Sequence, residues 1–146
     1  MTTHILSMTY QPKIEGVRRL EVRRTTRIYN EANPFEMGDF ALIHGWSGKP
    51  YRSPWNWRMP KMPILEPIDM FATASSAAFW QNPLTGKPLS DESCLINRYF
   101  WQDPIMDEVA RLDGIAPATG IEYQNVLERY HGKFTDKPVR FQVVRW

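Results

Sequence analysis

A single cysteine, Cys94, stands among 146 residues. That excludes an internal disulfide framework and any zinc site built from several cysteines. Histidine is nearly as scarce: His4, His44 and His131 lie far apart and share no metal-ligand spacing, so no metal is expected. The longest weakly polar stretch, Met70 to Trp80, carries Thr73, Ser75 and Ser76. It falls well short of the about 18–20 apolar residues of a membrane span, so no membrane partner is expected. No basic segment followed by an apolar one opens the chain, and with one cysteine a reducing, cytoplasmic compartment is the expectation. Repeats and low-complexity tracts are absent, and nothing divides residues 1–146 into more than one domain.

What is present supports a packed core. Hydrophobic residues make up 42% of the chain and the net charge is only +2, which argues against disorder. Twelve prolines, where average usage would give about seven, favour short strands and structured loops over long helices. The small net charge hides a segregation. Six basic residues fall between Lys13 and Arg27 against two acids, and four more between Lys49 and Lys61 against none. Separated basic charge is the footprint of a surface that meets phosphate, or else a solvated face. The second window is also aromatic, with Tyr51, Trp55 and Trp57 between Lys49, Arg52 and Arg58. Bases stack on such rings while neighbouring cations neutralise the backbone. The alternative is that the rings cap a barrel end as core. Pro50, Pro54, Pro60 and Pro63 predict that residues 45–62 form a long loop without strand or helix.

Alternation predicts strands over Ile5–Tyr10, Leu20–Arg24, Phe40–His44, Ile64–Thr73 (weakened at Pro67) and Val139–Trp146. Pro12–Gly16 reads as a helical turn. Asp103-Pro104 starts a helix whose stripe Ile105, Val109, Leu112 ends at Asp113-Gly114. Thr119 and Glu122 form a capping box for a helix that Gly132 stops. Asp103, Asp107, Glu108 and Asp113 read as solvated acids, and Cys94 as an inert thiol. His44, at a strand end beside the aromatic loop, reads as structural. The fold class expected is α+β.

The run Gly16-Val-Arg18-Arg-Leu-Glu21-Val-Arg23 resembles the signature of the ASCH family, glycine-x-lysine-x-x-glutamate-x-arginine, with Arg18 in the lysine place. Gly38-Asp39, the segment Val109–Ile115 and the finish from Tyr130-His-Gly132 to Trp146 are similar to later landmarks of that family. The resemblance spans most of the chain, with an insertion at 45–62 and a poorer match from about 75 to 100. It implies a small PUA-like β-barrel with flanking short helices, no cofactor, and RNA or a modified nucleotide as ligand. Some members resemble it in fold and are amidohydrolases that deacetylate N4-acetylcytidine with a lysine, a threonine and a glutamate; others are described as ribonucleases. Carried onto this chain, those three places hold Arg18, Glu21 and, near the third, Asp113. Arginine stays protonated and glutamate has no hydroxyl, so that deacetylation is not expected.

On a strand, Glu21 and Arg23 share a face. With Arg18 they would read a polar base, the carboxylate accepting from an exocyclic amine and the guanidinium donating to carbonyl or phosphate oxygens. The expected nucleic-acid surface is therefore Arg18, Glu21, Arg23, Lys49, Tyr51, Arg52, Trp55, Trp57 and Arg58. Binding of RNA or a nucleotide is the leading expectation. A hydrolase in the same cleft, using Arg18, Glu21 and Asp113, is the first alternative; a protein-interaction module built on the aromatic loop is another.

Overall fold

In a computed structural model that describes residues 1–88 and 97–146, the chain folds into two sheets and three short helices. The elements are β1 (Thr3–Ser7), α1 (Gln11–Arg18), β2 (Arg24–Ile28), β3 (Phe40–Trp46), β4 (Trp55–Arg58), β5 (Met62–Pro63), β6 (Ile68–Ala72), β7 (Ser76–Phe79), β8 (Asn97–Phe100), α2 (Pro104–Leu112), α3 (Gly120–His131) and β9 (Val139–Arg145). One sheet runs β1-β3-β4, with β5 also on β3; the other runs β2-β9-β6-β7-β8. The α+β class stands. The two sheets are not hydrogen-bonded into a closed barrel, because β1 and β2 each end a sheet. Cys94 lies outside the described residues. Among those described, no helix is long and apolar enough to cross a membrane.

The last strand explains how two sheets share one body. β9 is buried on both faces, as its apolar run Phe141-Gln-Val-Val requires. Phe141 and Val143 face α2 and α3 in a core with Ile68, Met70, Phe79, Trp101 and Tyr123. Val144 and Trp146 turn the other way, into a second core with Leu6, Val17, Ile43 and Ile64. Gln142, on that second side, is satisfied by the backbone of Phe35 at 2.9 and 3.0 Å.

Several expected boundaries move. Leu20–Arg24 is not a strand: residues 19–23 form the C-terminal cap of α1, and β2 begins only at Arg24. Glu21 and Val22 both donate backbone N–H to Gly16 O, and Leu20 takes a left-handed φ of 62°. Unpaired carbonyls at a helix end need donors, and here the following turn supplies them. The expected 45–62 loop contains a strand, since β4 pairs antiparallel with β3 between Pro54 and Pro60. Those prolines bound the strand rather than prevent it, leaving the hairpin tip at residues 47–54. Ile64–Thr73 shortens to β6, and the weakly polar stretch after it makes the β6–β7 hairpin.

The two helix signals fare differently. Thr119 does accept from Glu122 N–H, at 3.1 Å, but the expected reciprocal bond does not form: Thr119 N–H donates to Pro117 O at 2.9 Å and Glu122 accepts from Arg129 at 2.7 Å. Asp103 caps no helical N–H and accepts instead from Phe100 N at 2.8 Å. At the start of α3, Gly120 is pressed against the Trp101 carbonyl and Met106 Cβ, where a side chain has no room. Gly120→Ala should lower stability by about 1–3 kcal/mol through overpacking. Thermal denaturation checks it, and an unchanged Tm would contradict the close packing of α3 on residue 101.

Candidate functional site

The free edges of β1 and β2 face one another across a cleft of about 200 Å³. Its walls are the chain from Ser7 to Tyr10, Lys13 of α1, Thr25, Thr26 and Arg27 of β2, Asp113, and Tyr123, Tyr130 and His131 of α3. Ladder parity points backbone into it. Tyr29 N–H bonds Arg140 O and Trp146 N–H bonds Arg23 O, so odd residues of β2 serve β9 and Thr26 and Ile28 turn their N–H and C=O outward. Phe40 N–H bonds Thr2 O and Met8 N–H bonds His44 O, which likewise leaves Thr3, Ile5 and Ser7 facing away from β3.

At the base of the cleft sits a buried ionic chain. Lys13 Nζ donates to Asp113 Oδ1 at 2.6 Å and to Arg24 O at 3.3 Å. The other carboxylate oxygen accepts from Thr26 Oγ1 at 2.5 Å, and Thr26 Oγ1 lies 2.5 Å from the Tyr123 hydroxyl. Burial holds the Tyr123 phenol protonated well above its ordinary range. Tyr123 must therefore donate to Thr26, which in turn donates to Asp113. Both side chains of the ion pair are almost wholly enclosed, at 6% and 3% exposure. Desolvation lowers the Lys13 pKa from 10.5, the Asp113 carboxylate opposing it and the Arg27 and Arg24 charges adding to it. One of the three ammonium N–H groups keeps no protein acceptor among the described residues.

Local sequence explains the assembly. Lys13 lies four residues before Val17, on the buried side of α1. Asp113 caps the C-terminus of α2, where the helix end disfavours an anion and neighbouring cations are required. Gly114, at φ 76°, lets the chain leave the helix, and a Cβ there would come within 2.7 Å of Lys13 Cβ. Arg27 crosses the gap to β1, donating from Nη2 to Ser7 O at 2.7 Å. Its Nε is sealed from solvent without a partner.

The expected site residues are not gathered here, apart from Asp113. Arg18 is exposed and lies over the Trp57 ring at 5.4 Å. Glu21 is exposed in the turn after α1, and Arg23 is exposed with Nε on Trp146 O at 2.9 Å. Because residues 19–23 are no strand, Glu21 and Arg23 share no strand face. Asp113, expected to be solvated, is instead 2% exposed. On the β3–β4 hairpin, Lys49, Arg52 and Arg58 are exposed and Tyr51 is 82% exposed. Trp55 stacks on buried His44 at 3.8 Å and is 38% exposed, while Trp57 is half-buried against Gly45. Sequence reasoning missed Lys13, Thr26, Arg27 and Tyr123. The available signals were a lysine on the apolar side of a helix and an aspartate held by a following glycine.

Among the described residues, no three His, Cys, Asp or Glu side chains gather in a way that could hold a metal. No protein-family model matches the chain, and searches of curated proteins and of solved structures find no match.

Two predictions follow from the packing. Trp57→Ala should cost roughly 2–4 kcal/mol, near the range for a core Trp, whereas Tyr51→Ala should leave Tm unchanged; equal effects would contradict the difference in burial. Burial lowers the pKa of His44, and burial with the Arg27 charge lowers that of His131, from 6.5. The unfolded chain then binds more protons, so stability is full above the ordinary histidine value and falls as pH drops through 6.5 toward the folded values. Chemical denaturation between pH 8 and 5 reads this loss, and His44→Gln should reduce it.

Proposed function

We propose that the cleft binds a modified nucleobase, as nucleotide or within RNA, and hydrolyses an acyl group from its exocyclic amine. The observation that carries this reading is the enclosed Lys13–Asp113 pair at 2.6 Å, continued through Thr26 to Tyr123. It supplies a lysine, a threonine and a carboxylate, the side chains the ASCH-like amidohydrolases use, from positions other than those the signature suggests. A PUA-like barrel opened at the β1–β2 seam belongs to the same reading. The cleft, about 200 Å³, is below the about 300–1,000 Å³ of drug-sized pockets, which suits one ring and a short substituent.

Lys13 is the base. Desolvation makes its neutral amine accessible nearer neutral pH than an ordinary lysine. The amine takes a proton from water as the water oxygen bonds to the acyl carbon, and the carbonyl becomes an oxyanion. The outward Thr26 backbone N–H is a donor for that charge. Lys13 then returns the proton to the exocyclic nitrogen as the C–N bond breaks, releasing the free amine and a carboxylic acid. Asp113 aims the Lys13 amine, and Thr26 and Tyr123 hold Asp113 in place. The exposed Lys49, Arg52 and Arg58 beside Trp55 favour entry of a ligand on a single RNA strand.

Incubation with N4-acetylcytidine, followed by chromatography, should show cytidine and acetate. Lys13→Met should slow the reaction by about 10²–10⁴-fold, the usual contribution of a positioned base. The rate should rise with pH over a limb lying below 10.5, because the pKa of Lys13 is lowered. Unimpaired turnover in folded Lys13→Met, or none in the wild type, would overturn the proposal. RNA binding is read separately: Arg52→Ala and Arg58→Ala should each reduce the slope of log affinity against log salt by about 0.7.

A further inference from the structure

The cleft does not end at Arg27. A second, shallower cavity of about 500 Å³ continues along the same seam, between Thr3, Ile5, Ile28 and Asn30, and shares Arg27 and His131 with the first. Arg27 therefore borders both spaces. We infer that this seam is an anion subsite in which Arg27 holds a phosphate of the ligand, so that the protein takes a nucleotide in preference to a neutral nucleoside. The inference rests on the base-binding reading given above and names the substrate class of that site.

Three independent observations carry it. First, Arg27 is underused: Nη2 donates to Ser7 O at 2.7 Å, Nε is sealed from solvent with no acceptor, and Nη1 has none among the described residues. Nη1, which unlike Nε is not sealed, is thereby left as a charge-assisted donor for an oxyanion of the ligand. Second, the charges around the cleft do not balance. Lys13 and Arg27 border the cleft with a single carboxylate, Asp113, which is already bonded to Lys13 and Thr26, while the Arg24 guanidinium is taken by Pro83 O and Leu84 O. A neutral ligand would leave that excess in a poorly hydrated space, and a phosphate would offset it. Third, polar donors lie beyond Arg27. The backbone N–H groups of Ile5 and Ile28 face the seam by ladder parity. Asn30 also lines this cavity, its Oδ1 taken by Ala32 N–H at 3.0 Å and its NH₂ without an acceptor among the described residues. The other acid near this cavity, Asp39, is occupied by His4 at 2.8 Å and by the backbone N–H groups of Thr2 and Glu36.

The test is calorimetric titration of the wild type and Arg27→Gln with cytidine, cytidine 5′-monophosphate and inorganic phosphate. The monophosphate should bind about 10- to 100-fold more tightly than cytidine, the range for a charge-assisted hydrogen bond. Arg27→Gln should abolish that difference. Inorganic phosphate should bind weakly and compete with the monophosphate. Equal affinity for the two ligands in the wild type, a preference that survives Arg27→Gln, or no binding of any of the three would overturn the subsite. Inorganic phosphate binding as tightly as the monophosphate would overturn the nucleotide assignment. If Arg27→Gln does not fold, the wild-type comparison and Arg27→Lys, which keeps the charge but loses the fork, decide. A preference for the monophosphate in a protein that never hydrolyses N4-acetylcytidine would sink the hydrolase reading alone. Hydrolysis without that preference would sink the subsite alone.

Discussion

Much of this molecule is arranged around one enclosed ion pair. Lys13 comes from the first helix and Asp113 from the end of the second, 100 residues later, and they meet at 2.6 Å with almost no solvent between them. Two charges removed from water repel their surroundings unless each remaining donor and acceptor is matched. The neighbouring elements supply those partners: Arg24 O for the ammonium, Thr26 for the second carboxylate oxygen, and Tyr123 for the threonine. A strand edge, two helices and a helix end are thereby fixed relative to one another by four side chains. An apolar cluster would hold the same elements with less demand on geometry. A chain of one lysine, one carboxylate and two hydroxyls fixes orientation as well, and orientation is what a reacting centre needs.

The same pair explains where conformational freedom was given up. Gly114 sits at positive φ and packs on Lys13 Cβ, and the α1 cap folds residues 19–23 back onto Gly16 so that β2 can begin at Arg24. Each device shortens the path between the lysine and the carboxylate. The Asp39–His4 contact at 2.8 Å does comparable work on the other sheet, holding the turn before β3 against β1.

The readable parts of the sequence were those with local causes. The Thr119 cap, the Asp113-Gly114 stop and the strand β9 each depend on residues within a few positions of one another, and each appears in the fold, whereas the Glu122 half of the capping box is lost to Arg129. What could not be read depends on distance along the chain. Asp113 looks like one more surface acid until Lys13 is placed beside it, and nothing between them announces the meeting. The alternation Leu20/Val22 imitates a strand, but the open carbonyls of α1 compete for the same residues and win. Prolines around β4 suggested a loop because their missing donors were weighed without β3, whose residues 44–46 pair antiparallel with the segment between Pro54 and Pro60. The resemblance to the family signature led to Arg18 and Glu21, both exposed, while a lysine five positions earlier faces the cleft.

Leaving β1 and β2 unpaired is costly for a small protein, because each exposes a row of peptide groups that a closed sheet would satisfy. The gap is tolerated because Arg27 spans it to Ser7 O and because α3 roofs one end with Tyr123, Tyr130 and His131. Had the seam zipped shut, Thr26 N–H and Ile28 N–H would be bonded to β1, with no room over Lys13. The open seam places a desolvated amine, unpaired backbone donors and an underused guanidinium side by side. Those are groups a packed sheet would neutralise, and their survival together is the physical reason to look for chemistry in this place rather than on the aromatic hairpin.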